Sequence, residues 1–223
     1  MKVTWIGQAG FVFEADGKKI IIDPYLSDSC ERLNPKNKRR ISVDSRFLVN
    51  TYDIVIFTHN HMDHTDPDTY PTILKGASSL VLAPFSAWNE VRTIGGDNNY
   101  VMFNSGTVWT EGKLTFTAVK AEHSDRDAIG VLISDGKKKY YITGDTLYNS
   151  AVIADAPKCV DYVFAPVNGV GNNMNMTDAA LFAEEIEAEH IIPVHIGLFD
   201  SHTPNEFKSD RRLVLEVYKE YEL

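Results

Sequence analysis

Within six positions the chain places four side chains able to bind a metal ion, in the segment Thr58-His59-Asn60-His61-Met62-Asp63-His64. In an extended segment residues two apart point the same way, so His59 and His61 can converge on one cation. The turn that follows can aim Asp63 and His64 at a second cation nearby. The chemistry such a pair performs is metal-assisted hydrolysis, in which a shared water loses its proton near neutral pH and the hydroxide attacks a carbonyl carbon or a phosphorus. The bland alternative is a polar surface loop with fortuitous histidines. Against it stands the apolar run 53–57, which reads as a buried strand and puts the cluster on the loop at that strand's end.

Each cation needs further ligands, and three candidates stand where strands should end. His123 follows the run 114–119, Asp145 follows 140–142 and His195 follows 191–194. Alone, either histidine would be read as structural and Asp145, between Gly144 and Thr146, as a turn residue; the cluster at 59–64 is what gives them partners. A carboxylate such as Asp145 can bridge two cations, holding them about 3.5 to 4 Å apart with room for a hydroxide. Donors that are all nitrogen and oxygen admit zinc, manganese or iron.

The elements that must position these residues follow from periodicity. Residues 3–6, 11–13 and 19–22, with an Asp16-Gly17 turn, read as a small antiparallel unit. From 25 to 52 the periodicity fades into a long loop with at most one short element, of the kind that covers active sites. After the cluster come a helix around 68–75, a strand at 80–83 and a helix beginning near Ser86, an α/β alternation. Strands return at 100–103, 113–119, 129–134 and 139–142, the last two joined by an Asp135-Gly136 hairpin. A helix near Ser150, a buried strand at 162–165, a helix 178–188 capped by Thr177, a strand at 191–194 and a closing helix at 210–221 complete the reading. Two β-rich blocks, each followed by α/β segments, predict two sheets packed face to face with helices outside. The expected fold is therefore an α/β (α+β) four-layer αββα sandwich in one domain spanning residues 1–223.

The segment 58–64 resembles the HxHxDH signature of the metallo-β-lactamase superfamily, with matching positions at His123, at Asp145 in Gly144-Asp145-Thr146, and at His195. The likeness extends from Trp5 to about Phe199. The Ile22-Asp23-Pro24 element, the stretch 144–149 and the segment Asn173-Met174-Asn175-Met176-Thr177 are similar, more narrowly, to the L-ascorbate-6-phosphate lactonase-like branch. The resemblance implies that His59, His61 and His123 hold one metal, that Asp63, His64 and His195 hold the other, and that Asp145 bridges them. It implies manganese by the narrower likeness and zinc by the wider one. Histidine at the second ligand position distinguishes the chain from the diiron oxidoreductase branch, which is acidic there. The chain is considerably shorter than the lactonase, and its loop 166–177 has no arginine where that enzyme carries one. Lys and Arg are absent from 159 to 207, leaving Arg126, the run 36–40 or backbone amides to hold a phosphate.

Asp23 reads either as a strand-ending turn or, by the family pattern, as the carboxylate behind a ligating histidine. His202, seven residues beyond His195, is a candidate proton donor to a leaving group, with a solvent-exposed histidine as the alternative. Asp63 and Asp145 complete the expected catalytic set. Arg126 is a candidate anion contact or a surface ion-pair partner, Asn168 a candidate substrate or supporting contact, and His190 a structural residue. Gln8 and Phe11, beside the first turn, are placed near the site.

Composition bounds the partners. Among 223 residues, 31 acidic against 22 basic side chains give a net charge of −9, which repels nucleic acid unless the basic residues gather in one patch. The one compact basic run, 36–40, reads as a solvated loop or an anion-attracting rim. No membrane-spanning or leader-like apolar stretch occurs, and the two cysteines, Cys30 and Cys159, form no CxxC pair, which suits a reducing cytoplasm. The expectation is a cytoplasmic hydrolase of a small lactone or ester using two divalent metal ions, zinc or manganese. It would take a small-molecule substrate and bind neither nucleic acid nor membrane, with homo-oligomerisation left open. The alternatives are a phosphodiesterase, which would want a basic groove, and a metal-binding sensor without turnover.

Overall fold

The computed structural model describes residues 1–49 and 51–223. In chain order the elements are β1 (Lys2–Trp5), β2 (Phe11–Ala15), β3 (Lys18–Ile22), α1 (Ser29–Leu33), β4 (Ile54–Ile56), α2 (Thr69–Leu74), β5 (Leu80–Ala83), α3 (Phe85–Val91) and β6 (Asn99–Met102). They continue with β7 (Val108–Glu111), β8 (Leu114–Lys120), β9 (Ile129–Ser134), β10 (Lys139–Ile142), α4 (Ser150–Asp155), β11 (Tyr162–Pro166), α5 (Met176–Glu185), β12 (His190–Val194) and β13 (Glu220–Glu222). A seven-stranded sheet runs β13-β1-β2-β3-β4-β5-β6 and a six-stranded sheet runs β12-β11-β10-β9-β8-β7.

The short apolar runs are strands buried on both faces, and their period of two assigns each residue to a layer. Ile20, Ile22, Ile54, Ile56, Leu80 and Leu82 turn inward to meet Phe116, Val131, Ile133 and Phe164 of the opposite sheet in the central core. Their neighbours Ile21, Val55, Phe57, Val81 and Ala83 turn outward beneath Tyr70, Ile73 and Leu74 of α2 and Ala87 and Val91 of α3. On the far side of the second sheet, Tyr141 and Val163 pack with Val152 of α4 and Phe182 and Ala183 of α5. The result is the four-layer α-β-β-α sandwich that the patterning predicts.

Strands β3 to β6 run parallel to one another, as do β10 to β12, and the antiparallel pairings turn β1 and β8 the same way as their parallel sheet-mates. The loops after β1, β3, β4, β8, β10, β11 and β12 therefore all leave carboxyl ends, where open α/β sheets collect their binding residues. At this end the sheets touch directly, Ile129 N donating to Thr58 O at 3.0 Å. At the opposite end Tyr140 Oη donates to Leu223 O at 2.9 Å.

Three readings are corrected. Residues 210–221 form no helix: Arg212 bridges Ile191, Tyr218 N donates to Trp5 O, and the segment ends in β13, which covers the free edge of β1. An isolated helix of this length is marginal in water, whereas the open edge of β1 presents backbone groups that need partners, so tertiary pairing overrides local pattern. The N-cap of α5 is Asn175, not Thr177; its side chain accepts from Thr177 N and Asp178 N in a capping box closed by Asp178. Strand β7, whose alternate residues are exposed, was missing from the reading.

Candidate metal centre

The tail of β4 delivers the cluster. Thr65 Oγ1 donates to His59 O at 2.7 Å, and the amides of His64 and Thr65 both donate to His61 O, which closes the turn that swings Asp63 and His64 away from His61. His59 and His64 are fully buried, Asp63 is 6% exposed, and His61 is half-buried at the mouth. Three further loops bring His123 from β8, Asp145 from β10 and His195 from β12. His123 Nε2 lies 3.0 Å from His61 Nδ1. Asp145 reaches two ways, Oδ1 3.3 Å from His64 Nε2 and Oδ2 3.0 Å from His195 Nε2. His195 Nε2 is in turn 3.3 Å from Asp63 Oδ2.

The seven side chains resolve into three overlapping groups whose ligand atoms lie within 4.8 Å of one another: His59, His61 and His123; His59, His64 and Asp145; Asp63, His64 and His195. All seven residues singled out by spacing are thus brought together. The fit to a cation rests on orphaned atoms. Among the described residues His59 Nε2, His64 Nε2 and Asp145 Oδ1 are buried without a hydrogen bond of good geometry, the last two facing each other at 3.3 Å, and a positive ion between the three would satisfy them.

The far ring nitrogens are held, which fixes the direction of the near ones. His64 Nδ1 is 2.8 Å from Asp23 Oδ2, His59 Nδ1 3.1 Å from Thr58 Oγ1, His195 Nδ1 2.9 Å from the Asn168 amide, and His123 Nδ1 3.3 Å from Asn172 O. Asp23 also accepts from Thr58 N and Thr58 Oγ1, and Asn173 Nδ2 donates to Asp145 Oδ2 at 2.8 Å. Asp23 and His195 both take left-handed backbone conformations, φ 46° and 60°, uncommon for residues with a side chain.

Electrostatics follow the geometry. Burial pushes the His59 imidazole well below the usual histidine value, with the neighbouring His64 acting the same way. Burial would also depress His64 and His195, but the carboxylates prevail: Asp145, Asp23 and Asp63 raise His64 well above that value, and Asp145 and Asp63 raise His195 to about 9. Burial works against the Asp145 carboxylate, yet His195 and His64 hold it well below the ordinary range. Around His64 and His195, though not around His59, the carboxylates thus favour positive charge.

The cluster opens into a cleft of about 310 Å³ lined by His61, Asp63, His123, Ser124, Asp145, Val170, Gly171, His195 and Phe199. His202 is not part of that lining; its Nδ1 lies 3.0 Å from Glu206 Oε2. Arg126 is exposed and outside the lining as well. In the basic run, Arg40 pairs with Asp200 at 2.6 Å, and Arg39 donates to Tyr25 O and Ser27 O, so both arginines brace the loop 25–52. Phe11 packs in the core, edge-on to Phe164, and His190 stacks on Tyr162.

Asp125 escaped the sequence reading. It accepts from Asn60 N at 2.8 Å and Ser86 Oγ at 2.6 Å and so buttresses the metal loop from the second sheet. An acidic residue two positions after His123, on the same loop, was the available signal.

Comparison with known proteins agrees with the geometry. The model of the β-lactamase superfamily domain matches residues 2–195. A UPF0173 protein of Pyrococcus furiosus is 28% identical over 211 residues, 94% of this chain and 90% of that protein. A UPF0173 metal-dependent hydrolase of Methanopyrus kandleri is 29% identical over 229 residues, 94% and 91% of the two chains. Among solved structures, Igni18, a metallo hydrolase from Ignicoccus hospitalis, superposes with a TM-score of 0.77 at 23% identity, over 100% of this chain and 98% of its own. An isothiocyanate hydrolase from Delia radicum gut bacteria superposes at 0.79 and 20% identity, over 100% and 99%. With the family model covering most of the chain and the His/Asp clusters in place, the protein belongs to the β-lactamase superfamily and is one of its metal-dependent hydrolases.

Proposed function

We propose that the protein hydrolyses a small, uncharged lactone or ester, using two divalent cations, zinc or manganese, held by the seven clustered side chains. The observation that carries the substrate class is the cleft. At about 310 Å³ it suits a compact molecule, Val170 and Phe199 give it an apolar wall, and neither lysine nor arginine lines it among the described residues. Apart from the cations themselves, the described lining offers a phosphate or carboxylate on the substrate no lysine or arginine to pair with.

The bound cations supply acidification of water and polarisation of the substrate's carbonyl oxygen. The chain's own groups do the rest. Asp145, with one oxygen toward His64 and the other toward His195, would bridge the two cations when they are bound. Asp63, buried beside His195, would help hold a cation and orient the attacking water. Phe199, stacked on His195 at 6.1 Å between ring centres, and Val170 exclude water from the reacting face. Ser124, whose Oγ lies 3.4 Å from His61 Nε2, offers a hydroxyl at the mouth for a substrate oxygen. Likeness in fold to an isothiocyanate hydrolase adds a second neutral electrophile worth assaying.

The test is metal analysis of purified wild type and Asp145→Ala, followed by a panel of lactones, p-nitrophenyl esters, an aryl isothiocyanate and bis(p-nitrophenyl) phosphate. We expect two equivalents of metal and turnover of a neutral substrate in wild type, both lost in a folded Asp145→Ala. Turnover of the phosphodiester alone would replace this reading by the phosphodiesterase one, and full metal loading with no turnover of any substrate would favour the sensor.

A further inference from the structure

Gln8, on the loop after β1, is 2% exposed and takes a left-handed conformation at φ 50°. It lies outside the cleft lining, so it does not face substrate. Its Oε1 accepts from Ala9 N, which leaves the amide nitrogen only one way to point. That Nε2 lies 2.7 Å from Asp63 Oδ2, to which it donates, and 2.9 Å from His195 Nε2. The main chain of the same residue is engaged from both sides: Gln8 O accepts from His195 N at 3.1 Å and from Trp5 Nε1 at 3.0 Å, and Gln8 forms an antiparallel bridge with Ile196.

One residue of the first sheet therefore touches two ligands that arrive on different loops, Asp63 after β4 and His195 after β12. Both belong to the same ligand group, with His64. The His59, His61 and His123 group receives no contact from Gln8 among the described residues. A carboxylate oxygen has two lone pairs, so an N–H on one leaves the other for a cation and fixes its direction. We propose that Gln8 is a positioning residue for the half of the metal centre built from Asp63, His64 and His195, its side-chain N–H setting Asp63 and its carbonyl setting His195. This rests on the two-cation reading above.

The test titrates metal-stripped protein with cobalt(II) against a competing chelator, reading the visible absorption of each equivalent, for wild type, Gln8→Met and Gln8→Ala. Methionine keeps the length without the donor; alanine removes the donor without adding bulk, and both keep the main-chain carbonyl that holds His195. We expect one equivalent to bind as in wild type and the other to weaken by about 10- to 100-fold, the usual effect of removing a group that orients a ligand. Unchanged affinity for both equivalents overturns the assignment. So does a parallel loss of both, which marks a merely structural role, and so does a tightened second equivalent, which would make the amide a competitor of the cation. Wild type that takes only one equivalent would overturn the two-cation reading itself, and the inference with it.

Discussion

Asp23 stands directly behind His64, its Oδ2 2.8 Å from His64 Nδ1 while the same carboxylate accepts from Thr58 N and Thr58 Oγ1. One buried side chain thus aims a ligand and ties down the start of the loop that carries three others. Asp23→Asn retains the shape but loses charge and one acceptor. We expect metal affinity to fall by about 10- to 100-fold with the fold kept, as measured by chelator competition. Asp23→Ala also strands the buried Thr58 N–H, which adds a destabilisation of about 1–3 kcal/mol that calorimetry will detect.

Gly144 precedes the bridging aspartate at φ 62°, where a Cβ would lie 2.6 Å from Ile129 O and 3.0 Å from Thr58 Cβ. Its bareness lets β10 pass beneath the contact between the two sheets. Gly144→Ala should cost about 2–3 kcal/mol, from overpacking added to an unfavourable backbone conformation. The melting temperature should fall by roughly 4–12 °C, given about 2–4 °C per kcal/mol for a chain of this size. A variant that melts like wild type would show that the sheets can separate here at no cost.

The protonated His195 gives metal binding a pH dependence. Its value in the folded, ion-free protein is raised to about 9 from 6.5. A raised value stabilises the ion-free fold fully below the unfolded value, and that contribution is lost as pH rises through about 9. A cation needs the Nε2 lone pair and displaces that proton, so binding strengthens across the same window. The increase in melting temperature on adding manganese should therefore grow between about pH 6.5 and about pH 9. An increment that is flat or shrinks with pH would contradict the ion pairing of His195 with Asp145 and Asp63.

Much of this was legible in the chain because the pattern and the chemistry are local. Residues 54–56 and 80–83 announce buried strands by unbroken apolar character, and the spacing of His59, His61, Asp63 and His64 carries its meaning within one loop. His123, Asp145 and His195 each follow an apolar run, but it is the cluster at 59–64 that marks them as its partners. What escaped depends on partners distant in sequence. Residues 210–221 offered a helical pattern, but the free edge of β1 claims the last of them. Asn175 outcompetes Thr177 as a cap because its loop also pairs Asn168 with Asn175 across an antiparallel bridge. The role of Asp125 depends on Asn60 and Ser86, both in the other half of the fold.

The candidate ligands are divided between the sheets: His59, His61, Asp63 and His64 leave β4 of the first, and His123, Asp145 and His195 leave strands of the second. At the opposite end, Tyr140 of the second sheet is fastened to Leu223, next to β13 of the first, whatever the solution contains. A cation held by both sets would therefore add a tie between the sheets to those that Ile129 N and Thr58 O, and His195 N and Gln8 O, already make at the ligand end. We expect cation concentration to set how far the two sheets behave as one cooperative unit.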